Sequence, residues 1–248
     1  MKKLLIYDDV VAVTRKAHGT LSLKKGKTYE FARQTNAVPV VLSEFPPASS
    51  EYAIVFTEAA EGVMPAVILG VRDKENAYVA RDGSWGASYV PAFVRRYPFV
   101  FATDAKAETF TLMIDPSYSG FNTEGRGERL FDADGAQTAF LDTTLNFLRE
   151  YQVQFARTRA FGNRLAELGL LEPVEARVPL PKDPNRRLTG FKIVSRDKLK
   201  ALGADVLAPM VKSDELELIF LHLFSLRNLN RLHEKLAALV NEDVEPVA

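Results

Sequence analysis

Two kinds of hydrophobic spacing divide this chain. Up to about residue 115, short β-prone apolar runs are separated by turn-forming residues. Residues 52–56, 65–71, 77–80 and 110–114 each read as a strand. A polar turn at 72–76 and the pair Asp82 and Gly83, where glycine tolerates the positive φ of a tight hairpin, join the middle ones into an antiparallel meander. Within 89–99, Pro91 suits the first turn of a short helix, and Pro98 ends it by restricting Tyr97.

The later spacing is three and four residues. Leu141, Leu145, Leu148, Tyr151, Phe155 and Leu165 predict a helix over 137–168, roughly 45 Å long if unbroken. Gly162 is expected to bend it and Gly169 to stop it. The proline-rich stretch 172–192 reads as extended, with a strand at 190–195 and a helical start at 197–202. Over 214–240, Ile219, His222, Leu226, Leu229, His233, Leu236 and Val240 predict a seam against another helix. The fold class is therefore α+β, an antiparallel β-rich N-terminal half packed with a helical C-terminal half. The chain reads as one unit over 1–248, with a sub-division into 1–127 and 128–248 at the Gly-, Ser-, Asn- and Thr-rich loop 117–127.

Composition narrows the function classes. With 32 basic and 32 acidic side chains the net charge is zero, which removes the electrostatic case for nucleic acid. The absence of cysteine excludes disulfides, thiolate nucleophiles and Cys-ligated metals. Asp8 and Asp9 interrupt the N-terminal apolar run before it reaches signal-peptide length, and the apolar stretch 216–226 is too short to span a bilayer. A cytoplasmic protein without a membrane span is expected.

No motif announces catalysis. His18, His222 and His233 are the only histidines, and the last two are separated by eleven residues, about 16 Å along one helix, too far to share a metal. Asp132, Asp134 and Gly135 begin like a calcium loop but lack its remaining ligands, so a turn and helix cap is the better reading. Gly125-Arg126-Gly127 has neither the preceding strand nor the following Gly-Lys-Ser/Thr of a phosphate loop. No catalytic residue, metal ligand or cofactor is assigned, and a non-enzyme is favoured. One cluster stands out as a ligand-binding candidate: Trp85, Tyr89, Arg95, Arg96 and Tyr97 (with Phe93 between them). Guanidinium forks beside aromatic faces suit an anionic or planar ligand. The competing account is an amphipathic helix covering a sheet, its arginines paired with acidic residues.

Several segments resemble the SapC family in order along nearly the whole chain: Thr35-Asn36-Ala37-Val38-Pro39-Val40, Glu44-Phe45-Pro46, Tyr52-Ala53-Ile54-Val55-Phe56 and Leu69-Gly70-Val71-Arg72 with Glu75-Asn76. The most specific is Tyr89-Val90-Pro91-Ala92-Phe93-Val94-Arg95-Arg96-Tyr97-Pro98-Phe99. It is followed by Leu130-Phe131-Asp132, Arg157-Thr158-Arg159-Ala160-Phe161, Leu171-Glu172-Pro173, His222-Leu223 and Ser225-Leu226-Arg227-Asn228-Leu229. The resemblance implies a setting, bacterial surface-layer protein and its export or maintenance. It carries no catalytic residues across, and the peptide-transporter permease sharing the name does not fit a chain without spans. An accessory or binding protein is the leading expectation, docking a protein partner or a second copy through the C-terminal helix. The alternative is a small-molecule site or enzyme with a pocket under the 85–97 segment.

Overall fold

Strand Ile54–Ala59 pairs antiparallel with Gly62–Ile68 from Ile54 opposite Val67 to Ala59 opposite Gly62, forming the centre of a five-stranded sheet. The computed structural model describes residues 5–26, 28–59, 62–104, 109–180 and 183–242. The sheet order is Leu171–Arg177, Arg187–Val194, Ile54–Ala59, Gly62–Ile68 and Ala37–Pro39, with every pairing antiparallel. The proline-rich segment thus supplies a hairpin to the sheet of the N-terminal half. Pro173 and Pro39 sit on the two edge strands, where a missing N–H costs no ladder bond.

Two smaller sheets flank this one. Val11–Ala12, Thr109–Ile114 and Phe99–Asp104 form the first. In the second, Ser22–Leu23 lies between Phe121–Asn122 and Glu128–Arg129. The loop expected at 117–127 is therefore tied back to the start of the chain. Residues 77–80 do not form a strand; they make one bridge, Val79 to Trp85, around a turn in which Gly83 takes φ +79°. The strand Phe99–Asp104 was not expected, because Pro98 and the aromatic run before it read as a helix end.

The long helix runs unbroken over Ala139–Glu167. Thr138 caps its start by accepting the Leu141 N–H at 3.3 Å. Its end is a Schellman arrangement: Gly169, at φ +66°, donates to the Ala166 carbonyl, and Leu170 donates to that of Leu165. The helix continues through Gly162 without interruption. A Cβ there would lie 2.2 Å from the Val63 carbonyl oxygen, so glycine serves close approach of helix to sheet. The helix joins two cores. Leu141, Leu145 and Leu148 pack with Phe99, Ile114 and Leu130, whereas Tyr151, Phe161 and Leu165 pack with Phe45, Ile54 and Phe56. Each large side chain buried this way contributes about 2 kcal/mol.

After Arg196–Lys200 and Ala204–Lys212, the expected helix over 214–240 is two, Glu215–Ser225 and Asn228–Glu242. Polar ties set the break. Ser225 Oγ accepts the Ile54 N–H at 2.9 Å, and Asn228 Nδ2 donates to the carbonyls of Ser49 at 2.7 Å and Tyr52 at 2.9 Å. The buried seam consequently runs Ile219, His222, Ser225, then Asn228, Leu232, Leu236, leaving Leu226, Leu229 and His233 half-buried. The side chain of Val240 lies outside the described residues. No helix among them is long and apolar enough to cross a membrane.

Candidate functional site

The junction of the two cores opens as a cleft of about 450 Å³. Its walls come from residues 23, 25, 26, 28, 29 and 31, the 94–99 segment, Tyr118 and the first turns of the long helix. Three cations border it: Lys25, Arg95 and Arg96. Tyr29, Phe31, Tyr97, Tyr118, Phe140 and Phe147 supply the rings, and no carboxylate lines it among the described residues.

The short helix Ala92–Arg95 aims the arginines. It is held from below by Glu44, a buried side chain whose Oε1 accepts the Ala92 N–H at 2.6 Å and whose Oε2 accepts the Val41 N–H at 2.9 Å. The Arg95 guanidinium lies 5.7 Å from the Tyr89 ring and 5.5 Å from that of Phe147, with Nε donating to the Val90 carbonyl at 3.0 Å. Arg96 lies 4.1 Å from the centroid of Phe93, 5.2 Å from Tyr151 and 5.8 Å from Tyr7, with its Nε buried and without a partner among the described residues. Lys25 Nζ stands 5.7 Å from the Phe140 ring. None of the three cations is ion-paired among the described residues, whereas Arg72 and Arg164 hold carboxylates at 3.2 and 3.3 Å. Of the competing account, the pairing of these arginines with acidic residues is not found among the described residues, whereas the helix does cover the core, with Ala92, Phe93 and Val94 buried.

Burial sets the protonation of the phenols. It pushes Tyr7 up to about 12, with Arg96 pulling the other way, and Tyr97 up to about 12, with buried Asp115 adding to the rise. Both are neutral at physiological pH; Tyr97 borders the cleft, whereas Tyr7 stands outside its lining and gives its proton to the Phe99 carbonyl at 2.8 Å. Tyr118 Oη accepts the Gly26 N–H at 2.8 Å, leaving its own proton to donate. Thr143 and Thr144 give their protons to the helix carbonyls of Ala139 and Phe140, at 2.8 and 2.9 Å. The wall thus offers donors and positive charge on an aromatic bed, a combination that stabilises an anion with a planar or apolar body.

Of the five residues singled out from the sequence, Arg95, Arg96 and Tyr97 border the cleft. Tyr89 lines an adjoining cavity of about 310 Å³, and its hydroxyl donates to Glu44 Oε1 at 2.7 Å. Burial, then Glu44, raises that hydroxyl far above the ordinary phenol range. Trp85 stands behind the cleft wall, with Nε1 donating to Tyr52 Oη at 2.7 Å and its ring edge-on to Tyr29 at 5.4 Å. Lys25, Phe140 and Phe147 were missed; they lie up to 122 residues apart, and no local motif marks them. His222 and His233 are on separate helices, and no group of three or more metal-ligating side chains occurs among the described residues.

No curated protein and no solved structure matches the chain. The family model described as SapC matches residues 13–232, spanning both cores and every wall of the cleft. The chain belongs to the SapC family.

Proposed function

We propose that this protein works by binding, and that the cleft between its two cores takes a small anionic ligand with a planar or apolar body. The observation that carries this is the presence of three cations on one aromatic wall with, among the described residues, neither an ion-pair partner nor a lining carboxylate, in a chain of zero net charge. Uncompensated positive charge costs stability through mutual repulsion, so its concentration here points to a ligand that balances it. Arg95, Arg96 and Tyr97 contact that ligand; Tyr89 and Trp85 position the wall behind them. The test is titration with 1-anilinonaphthalene-8-sulfonate, a planar aromatic anion, against wild type and the Arg95→Met, Arg96→Met double variant. Binding that weakens about tenfold or more in the variant, with unchanged circular dichroism, supports the reading. Equal affinity in both proteins overturns it.

A second reading rests on a different surface. Phe220 and Phe224, 48% and 47% exposed, lie one turn apart on helix Glu215–Ser225. They suit docking of a protein partner or a second copy. In that reading the chain is a cytoplasmic accessory in export or maintenance of bacterial surface-layer protein, the setting implied by the SapC name. A photo-crosslinker placed at position 220 or 224 in cells should then capture one defined partner. Absence of any adduct at both positions sinks it.

A further inference from the structure

At its Lys25 end the aromatic cleft continues into a second, polar cavity of about 270 Å³, with Lys25 and Gly26 lining both. The wall of this cavity adds Lys24, Arg126, Asn122 and Ser119, again without a carboxylate among the described lining residues. Lys24 and Lys25 have no ion-pair partner among the described residues. Arg126 reaches Glu124 at 3.1 Å, an exposed pair that solvent screens. The cavity is built on paired backbone: Gly120 accepts the Lys24 N–H at 2.9 Å, and a Cβ on Gly120 would lie 2.4 Å from the Lys24 carbonyl oxygen. Asn122 Oδ1 accepts the Arg126 N–H at 3.0 Å, holding that residue at the rim.

Resting on the binding role proposed for the cleft, we infer that the ligand is an aromatic phosphate: its planar body lies among the rings, and its phosphate head sits on Lys24, Lys25 and Arg126 in the adjoining polar cavity. One carboxylate or sulfonate would neutralise a single cation. A phosphomonoester carries about −1.5 to −2 charges at pH 7 and three acceptor oxygens, which matches a rim with two lysines and a guanidinium. Arginine forks and lysine ammoniums both bind such oxygens through charge-assisted bonds. Phosphate-head seating separates the two demands on the site. The rings hold any planar body, and the rim selects for charge.

The test compares 1-naphthyl phosphate, 1-naphthol and inorganic phosphate on the full chain by calorimetry, with wild type and Lys24→Ala, Arg126→Ala. Both substituted side chains are solvent-facing, and circular dichroism checks that the fold is kept. The expected result is 1-naphthyl phosphate binding about tenfold or more tightly than 1-naphthol, with that advantage lost in the double variant while 1-naphthol affinity is unchanged. Equal affinity of the two naphthyl ligands overturns the phosphate head but leaves the cleft reading standing if 1-anilinonaphthalene-8-sulfonate still binds. An advantage that survives in the double variant places the head on Arg95 and Arg96 and overturns the rim assignment. Inorganic phosphate binding as tightly as 1-naphthyl phosphate overturns the aromatic part. If none of these ligands nor the sulfonate binds, both readings fall together.

Discussion

Glu44 Oε1 accepts the Tyr89 hydroxyl at 2.7 Å while the same oxygen accepts the Ala92 N–H at 2.6 Å. One buried carboxylate therefore fixes both the ring on which Arg95 rests and the first turn of the helix that carries both arginines. Truncation as Glu44→Ala orphans these two donors and the Val41 N–H, and bonds to a charged acceptor are worth more than neutral ones. The expected loss is about 3 kcal/mol or more in urea denaturation. Glu44→Gln should fall between the two proteins, since its carbonyl keeps one oxygen's partners while its amide turns a donor toward another. A loss below about 1 kcal/mol for Glu44→Ala would mean that water replaces the carboxylate.

Two tyrosines beside Arg96 make opposite predictions. Tyr7 Oη donates to the Phe99 carbonyl at 2.8 Å in a buried setting, so Tyr7→Phe leaves an acceptor unpaired and should cost about 1–2 kcal/mol. Tyr151 Oη is buried with no partner among the described residues, so Tyr151→Phe removes only a desolvated hydroxyl. It should be neutral or stabilise by up to about 1 kcal/mol. Urea denaturation of the two variants side by side decides the matter. A loss above about 1 kcal/mol for Tyr151→Phe means that its hydroxyl has a partner after all.

Local spacing revealed the elements that local spacing controls. The three- and four-residue recurrence from Leu141 to Leu165 placed the long helix to within two residues of each end, and the run 110–114 was a strand. What escaped depends on contacts between distant segments. Periodicity continues through Leu226 and Leu229, but the chain breaks there because Ser225 and Asn228 bond to the backbone at Ile54, Ser49 and Tyr52, about 170 to 180 residues away. The site divides the same way. Arg95, Arg96 and Tyr97 were legible because they are consecutive, whereas Lys25, Phe140 and Phe147 reach the cleft only when the long helix packs against the small sheets. Trp85 is close to these residues in sequence, yet its indole N–H is committed to Tyr52.

Helix propensity and packing oppose each other at Gly162. Alanine in a helix interior is favoured over glycine by about 1 kcal/mol. Against that, the new methyl would meet the Val63 carbonyl oxygen at 2.2 Å, and neither the helix nor the paired strand can shift freely. Overpacking of this kind costs about 1–3 kcal/mol, occasionally more, so the clash wins. Gly162→Ala should lower the stability by about 1–2 kcal/mol, read from the midpoint of thermal or urea unfolding. A stabilised variant would show that helix and sheet separate here at little cost.

His222 binds the sheet through both ring nitrogens. Nε2 accepts the Val194 N–H at 3.1 Å and Nδ1 donates to the Ile54 carbonyl at 2.9 Å, which fixes a neutral imidazole edge-on to Phe56. Burial pushes its pKa down to about 4, only partly opposed by the Ile54 bond. In the unfolded chain the ring titrates near 6.5, so between those values the unfolded state binds more protons than the native one. Stability contributed by this group is therefore complete above about pH 6.5 and is lost as the pH falls toward 4. Between pH 7 and pH 5 the loss is about 2 kcal/mol. His222→Gln keeps an acceptor and a donor but has no proton to take up, so its stability at pH 7 should be lower while its decline to pH 5 is shallower by that amount. Urea denaturation of both proteins at the two pH values gives the comparison. Parallel declines would assign the acid sensitivity to other groups and remove His222 as its source.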